Sequence, residues 1–397
     1  MAGLLIAIIY LAFISLGLPD SLLGAAWPMM FGELSVPVSY AGIISFIITL
    51  GTIISSLFSM KITAKIGAGA VTAISGLITA LSLLGFALSN SFILIAILAI
   101  PYGLGAGAVD AALNHYVANN LASRHMNWLH CFWGVGAAIG PYIMTFAVAI
   151  DKVWRTAYGS VFLIQFILAI FLFITLPVWK KQKAEAISAG EKISIGSAVK
   201  IKGVLPTLIA FFSYCAFETS AAVWITSYLV FSFGMEEAGA AALASLYYIG
   251  ITVGRFVSGF FADKLGDKRE ARLGGVIMLV GALMMLLSLK THFLFIFGML
   301  AAGFGGAPIY PAIIHMSPSL FGKRESETVI GVEMASAYTG SAIAPPIFGL
   351  ISSVIGISSL SVYLALFALL TLVFLELGIK ISERGKRPLE AKENSGL

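Results

Sequence analysis

Long apolar runs constrain this chain more than any other feature. Twelve stretches rich in Leu, Ile, Val, Ala, Phe and Gly follow one another. Each is roughly 20 residues or more, long enough for a helix to cross a ~30 Å hydrocarbon core. Lipid offers no partner to a backbone N–H or C=O, so such runs must close their hydrogen bonds internally, as helices. Strand-length alternation is absent, which argues against a membrane β-barrel. The expected spans are 4–30, 38–60, 68–88, 92–119, 128–150, 156–178, 204–232, 239–262, 273–289, 292–320, 327–354 and 358–380. Composition agrees: 59% of the 397 residues are hydrophobic and 11% charged, with a mean hydropathy of +0.99. That is too little charge to cover a soluble domain. The first run lacks a basic leader and a small-residue cleavage site, so it reads as a retained span.

The connections alternate in charge. Lys61, Lys65, Arg124, the basic stretch from Lys180 to Lys202, Lys264 to Arg272, Lys323, Arg324 and the tail from Lys380 carry 20 of the 24 Lys and Arg on one side. Lys152, Arg155 and Lys290 fall on the other, and Arg255 lies within a span. The positive-inside bias places both termini in the cytoplasm and requires an even number of spans. The longest hydrophilic stretch divides the chain into a six-helix bundle over 1–179, a cytoplasmic linker over 180–203, a second bundle over 204–381 and a cytoplasmic tail over 382–397. No Asn-x-Ser/Thr sequon occurs, which points to a bacterial inner membrane. The net charge of +5 reflects this loop asymmetry rather than a nucleic-acid partner. The expected partners are lipid and a small-molecule substrate, and the expected working unit is a monomer. Cys131 and Cys215 sit in apolar runs with no metal or disulfide spacing and read as packing residues.

The halves repeat. At an offset of 200, Gly103, Gly105, Ala112, His115 and Arg124 recur as Gly303, Gly305, Ala312, His315 and Arg324. The second and eighth spans align at 203, where Gly51, Ser55, Phe58, Lys61 and Lys65 match Gly254, Ser258, Phe261, Lys264 and Lys268. The fifth and eleventh align at 204 through Gly136/Gly340 and Pro141/Pro345, and the first and seventh at 198, pairing Asp20 with Glu218. Parallel duplicated halves are a transporter architecture with its binding site at mid-depth between them.

The loop Gly259-Phe-Phe-Ala-Asp263-Lys264-Leu-Gly266-Asp267-Lys268 resembles the major facilitator signature G-x-x-x-D-(R/K)-x-G-x-(R/K). After the second span Met60 stands where the acid is expected. Within that superfamily the chain is most similar to the fucose–galactose–glucose:proton symporters. The similarity is carried by Gly17-Leu-Pro-Asp20, by Gly103 to Val117 with Asp110 and Asn114, by Trp128 to Ala137, and by Val253 to Gly259. The resemblance implies an all-α membrane protein of twelve helices in two pseudo-symmetric bundles. It also implies an acid in the first span and another in the fourth; Asp110 stands where that family usually has Glu.

Charges inside a membrane cost at least ~2.5–3.5 kcal/mol each on insertion scales, so those that survive face a cavity or a partner. Asp20, Asp110, Glu218, Arg255 and Glu333 lie well inside spans. Asp20 shares a helical face with Phe13, Gly17, Gly24 and Trp27, and Asp110 with Gly103, Gly107 and Asn114. Asp20 and Asp110 are the expected proton-coupling carboxyls, each able to load a proton from one side and release it to the other; the alternative is a hydrogen bond to a neighbouring helix. Asn114, His130, Glu218 and Glu333 suit hydroxyl groups, and Trp133, Trp224 and Tyr310 could face the apolar side of a sugar ring. Helix packing or an interface belt is the alternative for each Trp. Arg255 is assigned with Asp263 to an inner gate, which leaves no cation for an anionic solute. His115 and His315 are read as packing residues, and Glu376 with Lys380 as an interfacial pair.

No P-loop, nucleophile elbow, HExxH or paired CxxC is present, so neither enzyme nor cofactor is expected. The reading is a secondary transporter: proton-coupled symport of a neutral hexose or deoxyhexose by rocking of the halves, with sodium as the alternative coupling ion. A drug/proton antiporter is the alternative function, and a non-transporting sensor a third.

Overall fold

The computed structural model describes residues 2–121, 123–151, 153–179, 194–288, 292–322 and 325–394. Within them the regular structure is all helical, and twelve helices are long and apolar enough to cross a membrane. In chain order the spans are Gly3–Glu33, Val38–Ser59, Ala68–Leu88, Phe92–Val117, Trp128–Asp151, Trp154–Ile174, Val204–Phe233, Glu237–Phe261, Asp267–Leu287, His292–Phe321, Thr328–Ile355 and Ile357–Arg384.

Some boundaries differ from expectation for electrostatic reasons. Span nine begins at Asp267, so the charged run expected in a loop forms its first turns. Two of those charges are met by span twelve: Lys268 Nζ lies 2.8 Å from Glu383, and Arg272 Nε lies 2.6 Å from Glu376. Glu376 also takes Lys380 at 3.1 Å. The twelfth helix continues to Asn394, beyond its expected end. Linker residues 180–193 lie outside the described residues. After them Ser194 caps a short helix, Ile195–Val199, by accepting from the Ser197 N–H.

Spans one to six pack among themselves, one against five, two against four, and three against four and six. Spans seven to twelve repeat the pattern, seven against eleven, eight against ten, and nine against ten and twelve. Glycines make the close approaches. Gly103 lies on the backbone of Ile48 and Gly303 on that of Tyr247, while Gly136 lies on Ile14 and Gly340 on Phe212. A Cβ at any of these would overlap a neighbouring carbonyl, which is why small residues recur where membrane helices meet.

These contacts also fix the register of the repeat. Ile14 and Phe212 keep the offset of 198. Ile48 and Tyr247 differ by 199, one helical turn short of the 203 expected for spans two and eight. At 199, Gly51 matches Gly250 and Gly67 matches Gly266, the residues that follow the two helices at φ +87° and +74°. Ala64, rather than Met60, then corresponds to Asp263. Lys residues four apart mislead the sequence comparison, because a slip of one turn still superposes Lys on Lys.

Away from the chain termini the two bundles close on each other. Gly24 of span one abuts Ala222 of span seven, and Gly42 of span two abuts Pro346 of span eleven. Thr145 of span five donates to the Ala238 carbonyl of span eight at 3.0 Å. Phe31 and Phe231 meet edge to face, their centroids 5.6 Å apart.

Candidate functional site

Span one is two helices, Ala2–Asp20 and Leu22–Glu33, and the break falls beside the acid. Irregular backbone at membrane depth is tolerated where it is buried in protein or lines a wet cavity. Asp20 is exposed, and the surface it meets is a cavity of about 490 Å³ between the bundles. Tyr102 Oη of span four donates to Asp20 Oδ1 at 3.0 Å, and Trp133 Nε1 of span five donates to Oδ2 at 2.8 Å.

From Trp133 the contacts cross into the second bundle. The Arg255 guanidinium of span eight lies over the Trp133 ring, 5.1 Å from its centroid. Its Nη1 donates to the His130 carbonyl at 3.2 Å, and its Nη2 stands 3.6 Å from Glu218 Oε1 of span seven. Tyr102, Asp20, Trp133, Arg255 and Glu218 therefore form one connected series across the interface. The two acids paired by the repeat, Asp20 and Glu218, stand in it on opposite bundles.

Asp110 lines the same cavity from span four, with His130, Tyr248, Tyr310, Tyr338 and His315 among the other walls. Its carboxylate accepts from Asn114 Nδ2 at 2.9 Å, and the same amide reaches the Asp110 carbonyl at 3.0 Å. Tyr310 stands two residues beyond the break of span ten, which separates His292–Gly306 from Ile309–Phe321. The cavity thus holds three carboxyls, one guanidinium, four phenols and an indole: groups able to bind hydroxyls, stack on a ring and carry a proton.

Of the residues singled out in the sequence, Asp20, Asp110, His130, Trp133, Glu218, Arg255 and Tyr310 meet in this cavity. Asn114 does not line it; one turn below Asp110, it supports that acid. Trp224 is also absent from the walls. It is fully buried, donates to the Pro345 carbonyl at 3.1 Å and packs on Phe348, which corrects its assignment as a solute-facing ring. Glu333, 0% exposed, takes its contacts from Ser317 Oγ at 2.7–2.8 Å, behind the cavity. Arg255 lines the cavity and faces Glu218. The side chain of Asp263, its expected partner, lies outside the described residues. His315, read as a packing residue, lines the cavity with its side chain 66% exposed, 4.0 Å from Asp267.

Three of the four phenols, Tyr102, Tyr248 and Tyr338, were missed, although two carried a signal. Tyr102, Ala106 and Asp110 follow at intervals of four, and Tyr248 precedes Arg255 by seven, so each Tyr shares a helical face with a buried charge. Among the described residues no group of three His, Cys, Asp or Glu is placed to hold a metal ion.

The family model described as the Major Facilitator Superfamily matches residues 9–244 and 207–396. A hexuronate transporter of Bacillus subtilis is 26% identical over 279 residues, 66% of each protein, a little under two thirds of that relative. The glucose/mannose transporter GlcP of the same species is 25% identical over 289 residues, 70% of each. The solved fold of the E. coli fucose:proton symporter FucP matches over 95% of this chain and 98% of that one, with a TM-score of 0.62 at 16% identity. The chain belongs to the major facilitator superfamily: it is a multi-pass membrane transporter and not an enzyme.

Proposed function

We propose, from that membership, that the protein is a proton-coupled symporter for a monosaccharide, working by alternating access in the inner membrane with both termini in the cytoplasm. One observation carries the reading. A carboxyl at a helix break faces a cavity between the bundles and is joined through Trp133 to a charge pair on the opposite bundle. Protonation of Asp20 removes the charge that Trp133 and Tyr102 bind, so proton loading and the packing of the two bundles are linked through named contacts. Asp110, held by Asn114, is the second proton-coupling acid. The tyrosines, His130, Glu218 and Trp133 serve the solute, combining donors and acceptors for hydroxyls with a flat apolar face.

Arg255 bears on the charge of the solute. Facing Glu218, it presents a pair with no net charge, which suits a neutral hexose or deoxyhexose. A second reading is a sugar acid. At 3.6 Å the pair exceeds hydrogen-bond length, so a solute carboxylate could displace Glu218 and take a bidentate contact. The glucose/mannose and hexuronate relatives fall on either side of that choice.

Uptake of labelled glucose, galactose, fucose and glucuronate into proteoliposomes, under an imposed pH gradient, a sodium gradient or neither, tests this. The expected outcome is accumulation of at least one sugar under the inward proton gradient alone. Accumulation under sodium alone would replace the coupling ion. Failure of every sugar together with extrusion of a lipophilic cation would replace symport with drug/proton antiport.

A further inference from the structure

Pro19 stands four residues after Ser15, and a proline has no N–H. The Ser15 carbonyl therefore lacks the donor that a continuous helix would give it. A residue from another helix supplies one. Gln165 of span six, 4% exposed, donates from Nε2 to the Ser15 carbonyl at 2.6 Å. Its Oε1 stands 3.1 Å from Thr79 Oγ1 of span three, a hydroxyl shared with the Gly76 carbonyl at 2.9 Å. The reverse orientation of the amide would set two carbonyl oxygens against each other, so the network fixes it. The void beside Gln165 measures about 20 Å³. That is room for a water molecule and not for a sugar, so this amide does not serve the solute directly.

The capped carbonyl lies five residues before Asp20, on the helix that ends at that acid. The donors that hold Asp20 come from two other helices, Tyr102 in span four and Trp133 in span five. Both bonds depend on how far span one bends at Pro19. We propose that Gln165 is a positioning residue for the proton-binding carboxyl: by capping the carbonyl that Pro19 leaves free, it sets the bend of span one and so the place of Asp20 between Tyr102 and Trp133. The inference rests on the reading of Asp20 as a coupling acid. Donors to a carboxylate favour its charged form, so a looser bend weakens them and shifts proton binding to higher pH.

The test uses the full chain in proteoliposomes and reads the pH dependence of uptake beside equilibrium exchange of sugar, which needs no net proton movement. Gln165→Leu is expected to move the pH midpoint upward by about half a unit or more, about threefold in proton affinity, while sugar affinity in exchange stays at the wild-type value. Pro19→Ala restores an N–H to residue 19, so in that background Gln165→Leu is expected to add no shift. Should Gln165→Leu fail to fold, Thr79→Val, which removes only the hydroxyl on the amide oxygen, is expected to give a smaller shift in the same direction. A wild-type midpoint in the folded Gln165 or Thr79 variant, or an equal shift with and without Pro19, would overturn the proposal. Asp20→Asn separates the two readings. If it keeps the pH dependence, the coupling role of Asp20 fails and this inference fails with it. If it abolishes that dependence while the Gln165 and Thr79 variants leave the midpoint unmoved, this inference alone fails.

Discussion

Trp133 joins two chemistries in one side chain. Its N–H binds Asp20 and its ring face receives Arg255. Trp133→Phe removes the first and keeps the second. A hydrogen bond to a charged group contributes about 1.5–3 kcal/mol, so the variant is expected to move the pH dependence of uptake upward by about one unit or more. Binding of labelled sugar should change less, a split that paired uptake and binding measurements read directly. The acids were legible in the sequence because a charge in a long apolar run is costly and demands a reason. Arg255 was legible as an anomaly but its contacts with Trp133 and Glu218 were not, since a helical stripe says which neighbours share a face and not which helix that face meets. Trp224 shows the converse error. As an aromatic ring within an apolar span it was assigned to the solute, yet it turns into the contact with span eleven.

Along the helices, close packing depends on a few glycines whose loss can be compared with that of others. A Cβ on Gly136 would overlap the Ile14 carbonyl, while one on Gly159 meets nothing within 4 Å. Alanine favours a helix over glycine by roughly 1 kcal/mol, so Gly159→Ala is expected to be neutral or stabilising. Gly136→Ala should instead destabilise by about 1–3 kcal/mol through overpacking. Thermal unfolding of the two variants in detergent checks the opposite signs. The twelve spans were legible because lipid enforces length and apolarity together. The start of span nine was not, because its charges are satisfied by partners more than a hundred residues later, Glu376 and Glu383. The breaks at Ser21 and after Gly306 were signalled only weakly, by Pro and Gly that other spans carry without breaking.

Taken whole, the molecule is two like bundles that touch on the side away from the termini and part around a cavity whose apolar walls carry a few charged and phenolic groups. The duplication and the mid-depth site were visible in the recurring glycines and in the Asp20–Glu218 pair. The series linking those two acids was not, because it passes through an indole and a guanidinium contributed by different bundles. In the proposed mechanism Asp20 carries the proton that accompanies the solute. The most direct test is sugar-evoked proton entry into proteoliposomes loaded with a pH-sensitive dye, wild type beside Asp20→Asn. Sugar added outside is expected to acidify the lumen with the wild type. With Asp20→Asn there should be no acidification, although that variant still exchanges labelled sugar across the membrane. Acidification by Asp20→Asn equal to that of the wild type would contradict the account.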